Sequence, residues 1–179
     1  MNLENLKLEI PYQWRLGNLI PSQKSSTGFY STCLAYIDAR DAMDLLDFVV
    51  GQENWKDEYQ YIGNQWLCGA SICTKNGEWV TKWDTGTSGN FEAEKSIISD
   101  SFKRAWVKWG VGRFLYGMET ELVEVVTFKG GDGKDRVKHA IDPTGKRIYD
   151  LSEHINSKQK HKQRIEKARE KLRAVKKEG

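Results

Sequence analysis

Three short segments between residues 55 and 84, rich in aromatic and β-branched residues, are separated by two turn signals. The turns fall at residues 63–64 (Gly-Asn) and 76–77 (Asn-Gly), and Asn followed by Gly is the strongest short-range signal for a β-hairpin. In the third segment Trp79 and Trp83 alternate with Lys82 and other residues, which indicates a sheet covered on one face. The sequence therefore predicts three antiparallel strands, Trp55–Ile62, Trp66–Cys73 and Glu78–Asp84.

The segment from Asn90 to Gly112 is predicted to be a long helix that covers this sheet. At about 100° per residue, Lys103 and Arg104 lie on one side of the helix, with Val107 between them. The opposite face is apolar and consists of Phe91, Ile98, Phe102, Ala105 and Trp109. The helix therefore combines a face that packs on the sheet with a partly cationic face, suited to a groove where neighbouring subunits meet.

The remaining pattern predicts an α+β fold. A short amphipathic helix ends at Pro11, an extended segment follows at Tyr12–Leu16, and Gly17–Gly28 is expected to be a polar loop. Asp38 can cap a helix that ends at Gly51. Further strands are expected at Phe29–Ile37, Leu122–Lys129, Arg136–Ile141 and Arg147–Tyr149.

Length and charge predict one domain, residues 1–156, followed by a basic helix or tail, residues 157–179. The tail contains ten of the 28 basic and three of the 25 acidic residues, a net charge of +7, whereas the rest of the chain carries −4. Such a tail can be a solubilising helix, a disordered extension or an arm that contacts phosphates.

Three cysteines without a CxxC pair argue against a disulfide framework and a structural zinc site, so Cys33, Cys68 and Cys73 are expected to be reduced thiols. Because no apolar run approaches the roughly 20 residues that span a bilayer, we expect a cytoplasmic protein.

Few residues suggest catalysis. Gly130–Lys134 is too short for a nucleotide-binding P-loop and lies between two predicted strands. The three histidines lack the spacing of a metal site, so no metal or cofactor is predicted. An acidic cluster with a lysine resembles that of metal-dependent nucleases, but Ala93 occupies the position where those enzymes need an acid; its members are Asp84, Glu92, Glu94 and Lys95.

Signals for nucleic-acid binding are stronger. Seven Trp and seven Tyr are interleaved with basic residues, and exposed rings can stack on bases while cations contact phosphates. Trp106 is expected either in the core or at a subunit contact. The other tryptophans assigned to the interior are Trp66, Trp79, Trp83 and Trp109. The candidate phosphate contacts from this pattern are Lys82, Lys103, Arg104, Lys108 and Arg113.

From about Leu8 to Met118 the chain resembles the Rad fifty-two family of single-strand annealing proteins, particularly its shorter phage and bacterial members. The resemblance rests on the order and spacing of four motifs: Tyr12–Arg15, Tyr36–Trp55 (YIDARDAMDLLDFVVGQENW), the glycine loop Asp84–Gly89, and Ser99–Gly112 (SDSFKRAWVKWGVG).

This resemblance implies a β-β-β-α core that assembles into rings or filaments and binds single-stranded DNA in a cationic groove. Lys103 and Arg104 match the family's Lys-Arg pair on the long helix. The next basic position is Val107 here, although Lys108 is adjacent. Arg40 is the nearest match to a further groove arginine, because Asp41 occupies the aligned position. Val107 and Trp106 are assigned to the oligomer interface.

Together with this resemblance, the sequence predicts a non-enzymatic protein that anneals complementary DNA strands without ATP, in homologous recombination and DNA repair. Its expected partners are single-stranded DNA and further copies of itself, with a recombination exonuclease or a host single-strand-binding protein as candidates, in a bacterial or phage-infected cell. Two alternatives are a metal-dependent nuclease and a passive protein that coats single-stranded DNA and blocks pairing.

Overall fold

The computed structural model describes residues 2–86 and 93–160, and the side chains of all of these except residues 93–96. The fold is α+β with antiparallel sheets, as predicted. The chain divides into two compact units, Met1–Tyr12 with Tyr36–Met118 (unit 1) and Gln13–Ala35 with Glu119–Gly179 (unit 2). The division into residues 1–156 and a tail stays a prediction.

The regular elements follow one another in this order. Short 3-10 helices lie at Leu3–Lys7, Gln52–Asn54 and Arg113–Gly117. The helices are α1 (Ala39–Val50), α2 (Ala93–Val107) and α3, of which residues 151–160 are described. The strands are β1 (Gln13–Pro21), β2 (Phe29–Tyr36), β3 (Trp55–Ile62), β4 (Gln65–Cys73), β5 (Trp79–Thr85), β6 (Glu121–Lys129) and β7 (Asp135–Ile141).

Unit 1 contains the predicted three-stranded sheet, in the order β3-β4-β5, and each strand begins and ends within one residue of its predicted bounds. The β3–β4 hairpin turns at Gly63 and Asn64, whose φ angles of 58° and 62° are in the left-handed region that these two residue types tolerate best. The hairpin predicted from these two turn residues is therefore confirmed.

α2 packs on the face of the sheet that carries Cys68, Ala70 and Ile72 from the central strand β4, all three of them fully buried. Phe102 and Ala105 of α2 are buried there, as predicted. Further core residues of unit 1 are Leu6, Ile37, Ala42, Leu45, Leu46, Val50, Trp106 and Val111.

The tryptophan assignments were wrong for β5. Strand pairing places Trp83 opposite Gly69, and Trp79 opposite Cys73, on the sheet face away from α2. Trp79 is 43% exposed, and Trp66, Trp83 and Trp109 are half-buried. Periodicity shows that a strand has two faces, but the apolar residues of the neighbouring strand decide which face the helix covers.

The predicted helix after Asp38 is α1, and it begins with a capping box. The Asp38 carboxylate accepts hydrogen bonds from the amides of Arg40 (2.7 Å) and Asp41 (3.0 Å), and the Asp41 carboxylate accepts one from the Asp38 amide (2.8 Å). Gly51 follows the helix directly, with a φ angle of 88°.

Unit 2 contains a four-stranded antiparallel sheet in the order β1-β2-β6-β7. α3 lies against one face, where the Trp14 indole N–H donates to Asn156 (3.0 Å) and Ile155 is buried. The predicted polar loop from Gly17 was wrong in part, since β1 continues to Pro21. Of the predicted strand Arg147–Tyr149, only one bridge between Arg147 and Ile141 forms.

The long helix is shorter than predicted at its C-terminal end. α2 ends at Val107, and turns follow through Gly112. The predicted start at Asn90, with Phe91, lies outside the described residues. Among the helices of the described part of the chain, none is long and apolar enough to span a membrane. The three thiols are free, with Cys33 and Cys68 buried and Cys73 half-buried.

Candidate nucleic-acid interface

Four of the predicted cations lie together in unit 1, where the end of α2 meets β5. Lys82, Arg104, Lys108 and Arg113 form this α2–β5 cluster, in which Arg104 and Lys108 contact the carboxylate of Asp84. Arg104 Nη2 lies 3.3 Å and Lys108 Nζ 3.4 Å from the Asp84 oxygens. The Asp84 side chain is 17% exposed, while those of Arg104 and Lys108 are 42% and 45% exposed, so the cations still reach solvent.

The Asp84 carboxylate is held in its charged form. Burial by itself would raise its pKa, but the amide N–H of Thr85, at 2.8 Å, and the charges of Arg104 and Lys108 lower the pKa below its ordinary value of 3.8. At neutral pH this anion therefore occupies the two cations that an anionic ligand at this position would contact.

The other two cations of the cluster satisfy carbonyl groups at the end of α2. Arg113 donates through Nε (3.1 Å) and Nη2 (2.8 Å) to the Val107 carbonyl and through Nη2 (2.9 Å) to the Lys108 carbonyl. Lys82 Nζ donates to the Lys108 carbonyl at 3.0 Å. Cations are favourable at the negative end of a helix dipole, so both side chains stabilise this helix end.

Lys82 also lies over an aromatic ring, with its Nζ 4.0 Å from the centre of the Trp109 ring. Burial, together with the nearby charge of Arg113, lowers the pKa of Lys82. The Trp109 indole N–H donates to the Ala70 carbonyl (2.9 Å), which fixes the ring against the central strand. Lys108 Nζ donates to the Trp83 carbonyl. The side chains of the cluster are therefore held in place by hydrogen bonds to backbone carbonyls and by ion pairs with Asp84.

Lys103 belongs to a second group, with Arg40. Hydrogen bonding from the Asp41 amide is the main cause that lowers the pKa of Asp38, and the charges of Arg40 and Lys103 lower it further. Both charges thus act on the carboxylate that caps α1, and Arg40 is exposed. The Asp41 carboxylate completes the capping box and so stabilises the start of α1. The side chain of Arg40 is not part of the capping box and is available to a ligand.

The predicted interface residues differ in exposure. Trp106 is fully buried, and its ring meets that of Trp55 edge-on at 5.6 Å, so it cannot reach a neighbouring subunit. Its assignment to an oligomer interface is therefore corrected to the core of unit 1. Val107 is half-buried and stays a prediction.

Asp84 is the residue that sequence reasoning missed as part of the cation cluster. The sequence predicts Asp84 at the start of the glycine loop and in a nuclease-type acidic cluster, and strand alternation with Lys82 on β5 puts both on one face. The pairing of that face with α2, which brings Asp84 to Arg104 and Lys108, could not be read from either segment alone.

The chain is similar to proteins described as single-stranded DNA-binding protein DdrA. It is 30% identical over 124 residues to the protein of Deinococcus radiodurans, a match covering 66% of this chain and 57% of the relative. It is 32% identical over 96 residues to that of Deinococcus deserti, covering 50% and 45% respectively. No protein-family model and no solved structure matches the chain. The chain thus spans about half the length of the curated relatives that it matches.

Proposed function

We propose that this chain binds single-stranded DNA and anneals complementary strands in homologous recombination and DNA repair, without ATP or a metal ion. The observation that carries the proposal is that unit 1 contains two groups of cations, four side chains where the end of α2 meets β5 and two whose charges act on the capping carboxylate of α1. These are Arg40, Lys82, Lys103, Arg104, Lys108 and Arg113. The single-stranded DNA binding named for the DdrA relatives supports it.

The resemblance to the Rad fifty-two family supports the annealing step. The order β3-β4-β5-α2 agrees with the β-β-β-α core which that family implies, and Lys103 and Arg104 occupy α2 as the family's Lys-Arg pair would. In an annealing protein, cations neutralise phosphates so that two complementary strands repel each other less, while the base edges stay free to pair.

Assembly into a ring or filament is part of the same proposal. Repeated copies turn a weak site into a continuous track, so the strand is held by avidity. Two features support self-association: half-buried Val107 beside the cations, and the sheet face away from α2, where Trp79 is 43% exposed. Lys56 Nζ lies 5.0 Å from the Trp79 ring centre, so this face also combines an aromatic ring with a cation.

The experiment is annealing of two complementary labelled oligonucleotides in EDTA without nucleotide. Wild-type protein is expected to accelerate annealing, and the double variant Lys103→Ala/Arg104→Ala to lose most of this acceleration and to show a weaker salt dependence of binding. A matched control removes two exposed lysines outside the proposed site, Lys24→Ala/Lys75→Ala. Sedimentation velocity on the same samples is expected to show unchanged assembly.

The outcomes separate the candidate functions. Equal annealing by the double variant and the control would remove Lys103 and Arg104 from the DNA site. Binding without annealing would favour a protein that coats single-stranded DNA. Strand cleavage that appears with magnesium and disappears with chelator would favour a nuclease.

A further inference from the structure

We propose that unit 2 carries a second contact for single-stranded DNA on the outer face of β7. This β7-edge surface consists of Phe128, Arg136, Lys138, Arg147 and Tyr149. Its cations would contact phosphates, and its two exposed rings would stack on bases. The inference rests on the proposed binding of single-stranded DNA but uses none of the residues of unit 1.

Strand pairing places Phe128, Arg136 and Arg147 on one face, and Tyr149 is next to Arg147, whose guanidinium contacts its ring. Phe128 lies directly opposite Arg136, and Arg147 bridges to Ile141, which itself pairs with Glu124 on the same face as Phe128. α3 covers the other face, where Lys158 pairs with Glu121 at 3.5 Å. The β7-edge surface is therefore on the sheet face opposite α3.

A β-bulge in β7 places a further cation, Lys138, at this surface. On β6 Val126 and Thr127 are adjacent, but their partners on β7 are His139 and Val137, so Lys138 has no residue opposite it. Such an extra residue redirects a side chain and twists the strand locally. Lys138 is exposed, and it lies between the Phe128–Arg136 pair and the Arg147–Tyr149 pair.

The two rings are open to solvent. Tyr149 is 87% exposed and Phe128 is 48% exposed. The Arg147 guanidinium carbon lies 5.0 Å from the Tyr149 ring centre, which leaves the rest of the ring accessible. An exposed ring beside a guanidinium offers one base a stacking partner and its phosphate a cation.

Two cations of this surface are available to an anionic ligand, because the nearby carboxylates have other partners. Asp132 pairs with Arg136 (3.4 Å), Asp142 accepts the amides of Thr144 and Lys146 (2.8 and 3.0 Å), and Asp150 accepts the Glu153 amide (2.8 Å). By contrast, Lys138 and Arg147 have no carboxylate within 4.0 Å in residues 2–86 and 93–160. These two cations are free for phosphates.

The exposed rings select single strands over duplex DNA and over acidic proteins. Bases in a duplex are stacked on each other, whereas those of a single strand can turn onto an aromatic side chain. An acidic peptide would use Lys138 and Arg147 but would have no need of the rings. Dependence on the aromatic character of residue 149 is therefore the discriminating property.

The test measures binding of a fluorescent oligo(dT) by anisotropy, with a 5-iodouracil-substituted oligo(dT) for photocrosslinking. Tyr149→Ala is expected to weaken binding roughly fivefold or more, the loss of one stacked base, and Tyr149→Phe to retain it. The matched control is Tyr116→Ala, which removes a 72% exposed tyrosine of unit 1. Mass spectrometry is expected to find the crosslink at Tyr149.

Each outcome decides between the two proposals. If oligo(dT) binding responds to Lys103→Ala/Arg104→Ala, but Tyr149→Ala behaves like Tyr116→Ala and no crosslink maps to β7 or Tyr149, the second contact is refuted and the proposed function stands. If only Tyr149→Ala weakens binding, the second contact stands without the site on α2. If polyglutamate displaces oligo(dT) equally well from Tyr149→Phe and Tyr149→Ala, the surface is assigned to an acidic protein. If wild-type protein does not bind oligo(dT), both the proposed function and the second contact are refuted.

Discussion

Replacing Asp84 by Asn is expected to strengthen binding of single-stranded DNA. Asp84 neutralises Arg104 and Lys108 at 3.3 and 3.4 Å, so a DNA phosphate must compete with an internal carboxylate for both cations. Asn has nearly the same shape, and its carbonyl oxygen can still accept the Thr85 N–H that now bonds at 2.8 Å. The substitution therefore removes the charge while it preserves the local backbone contact.

The magnitude follows from the exposure of the two pairs. Ion pairs with partly exposed partners contribute about 0.2 to 1 kcal/mol each, so releasing two cations is worth about 1 kcal/mol to the competing phosphate, or roughly a fivefold lower Kd. One additional phosphate contact steepens the slope of log K against log salt by about 0.7. The free energy of unfolding should fall by about 1 kcal/mol, because the same pairs stabilise unit 1.

The assay is fluorescence anisotropy with oligo(dT) at several salt concentrations, with Glu4→Gln as the control. That substitution also removes one negative charge that pairs with a cation, Lys7 at 2.7 Å, but in the 3-10 helix Leu3–Lys7 and not on α2 or β5. A Kd and a salt slope equal to those of the control would refute the idea that Asp84 competes with DNA. Weaker binding by Asp84→Asn would instead show that the carboxylate orients Arg104 and Lys108 for the phosphate.

Two further predictions concern stability. Gly69→Ala should lower the free energy of unfolding by about 1 to 3 kcal/mol in urea titrations, because a Cβ would lie 2.7 Å from the Trp83 ring, whereas the control Gly117→Ala meets no atom within 4 Å. Hydrogen bonds from Ser25 and other groups of its loop lower the pKa of Glu124 to about 2 from an ordinary 4.5. Its stabilising contribution is therefore present above about pH 4.5 and is lost as the pH falls towards 2, so Glu124→Gln should flatten this part of the stability profile; identical acid profiles for the two proteins would contradict the assignment.

Local signals predicted the elements well. Turn residues at 63–64 and 76–77 set the three-stranded sheet, and Asp38 set the start of α1. Hairpin turns and helix caps depend on residues that are close in the sequence, so the local sequence is sufficient to predict them. The extension of β1 to Pro21 was missed, because its polar and glycine-containing residues gain strand structure only by pairing with β2.

The candidate site was harder to predict, since its geometry depends on which surfaces meet. Helical periodicity predicts Lys103 and Arg104 as one pair, yet in the structure Arg104 forms an ion pair with Asp84 at 3.3 Å, whereas the charge of Lys103 acts on Asp38. The sequence leaves Trp106 open between the core and a subunit contact, because helical spacing does not show that Trp55 packs against its ring. Contacts between side chains that are distant in the sequence cannot be predicted from the spacing of apolar and charged residues along one helix.

The order of the strands along the chain has a consequence for synthesis. β2 pairs with β6 through residues such as Tyr30 and Glu124, about 90 positions apart, whereas β3, β4 and β5 are joined by short turns. At 5 to 20 residues per second, the ribosome needs roughly 5 to 20 s to reach β6 after β2 has emerged. During this interval one edge of β2 has no partner, and an unpaired strand edge is a template for aggregation. The nascent chain is therefore most exposed to aggregation through this edge while the segment between β2 and β6 is being made.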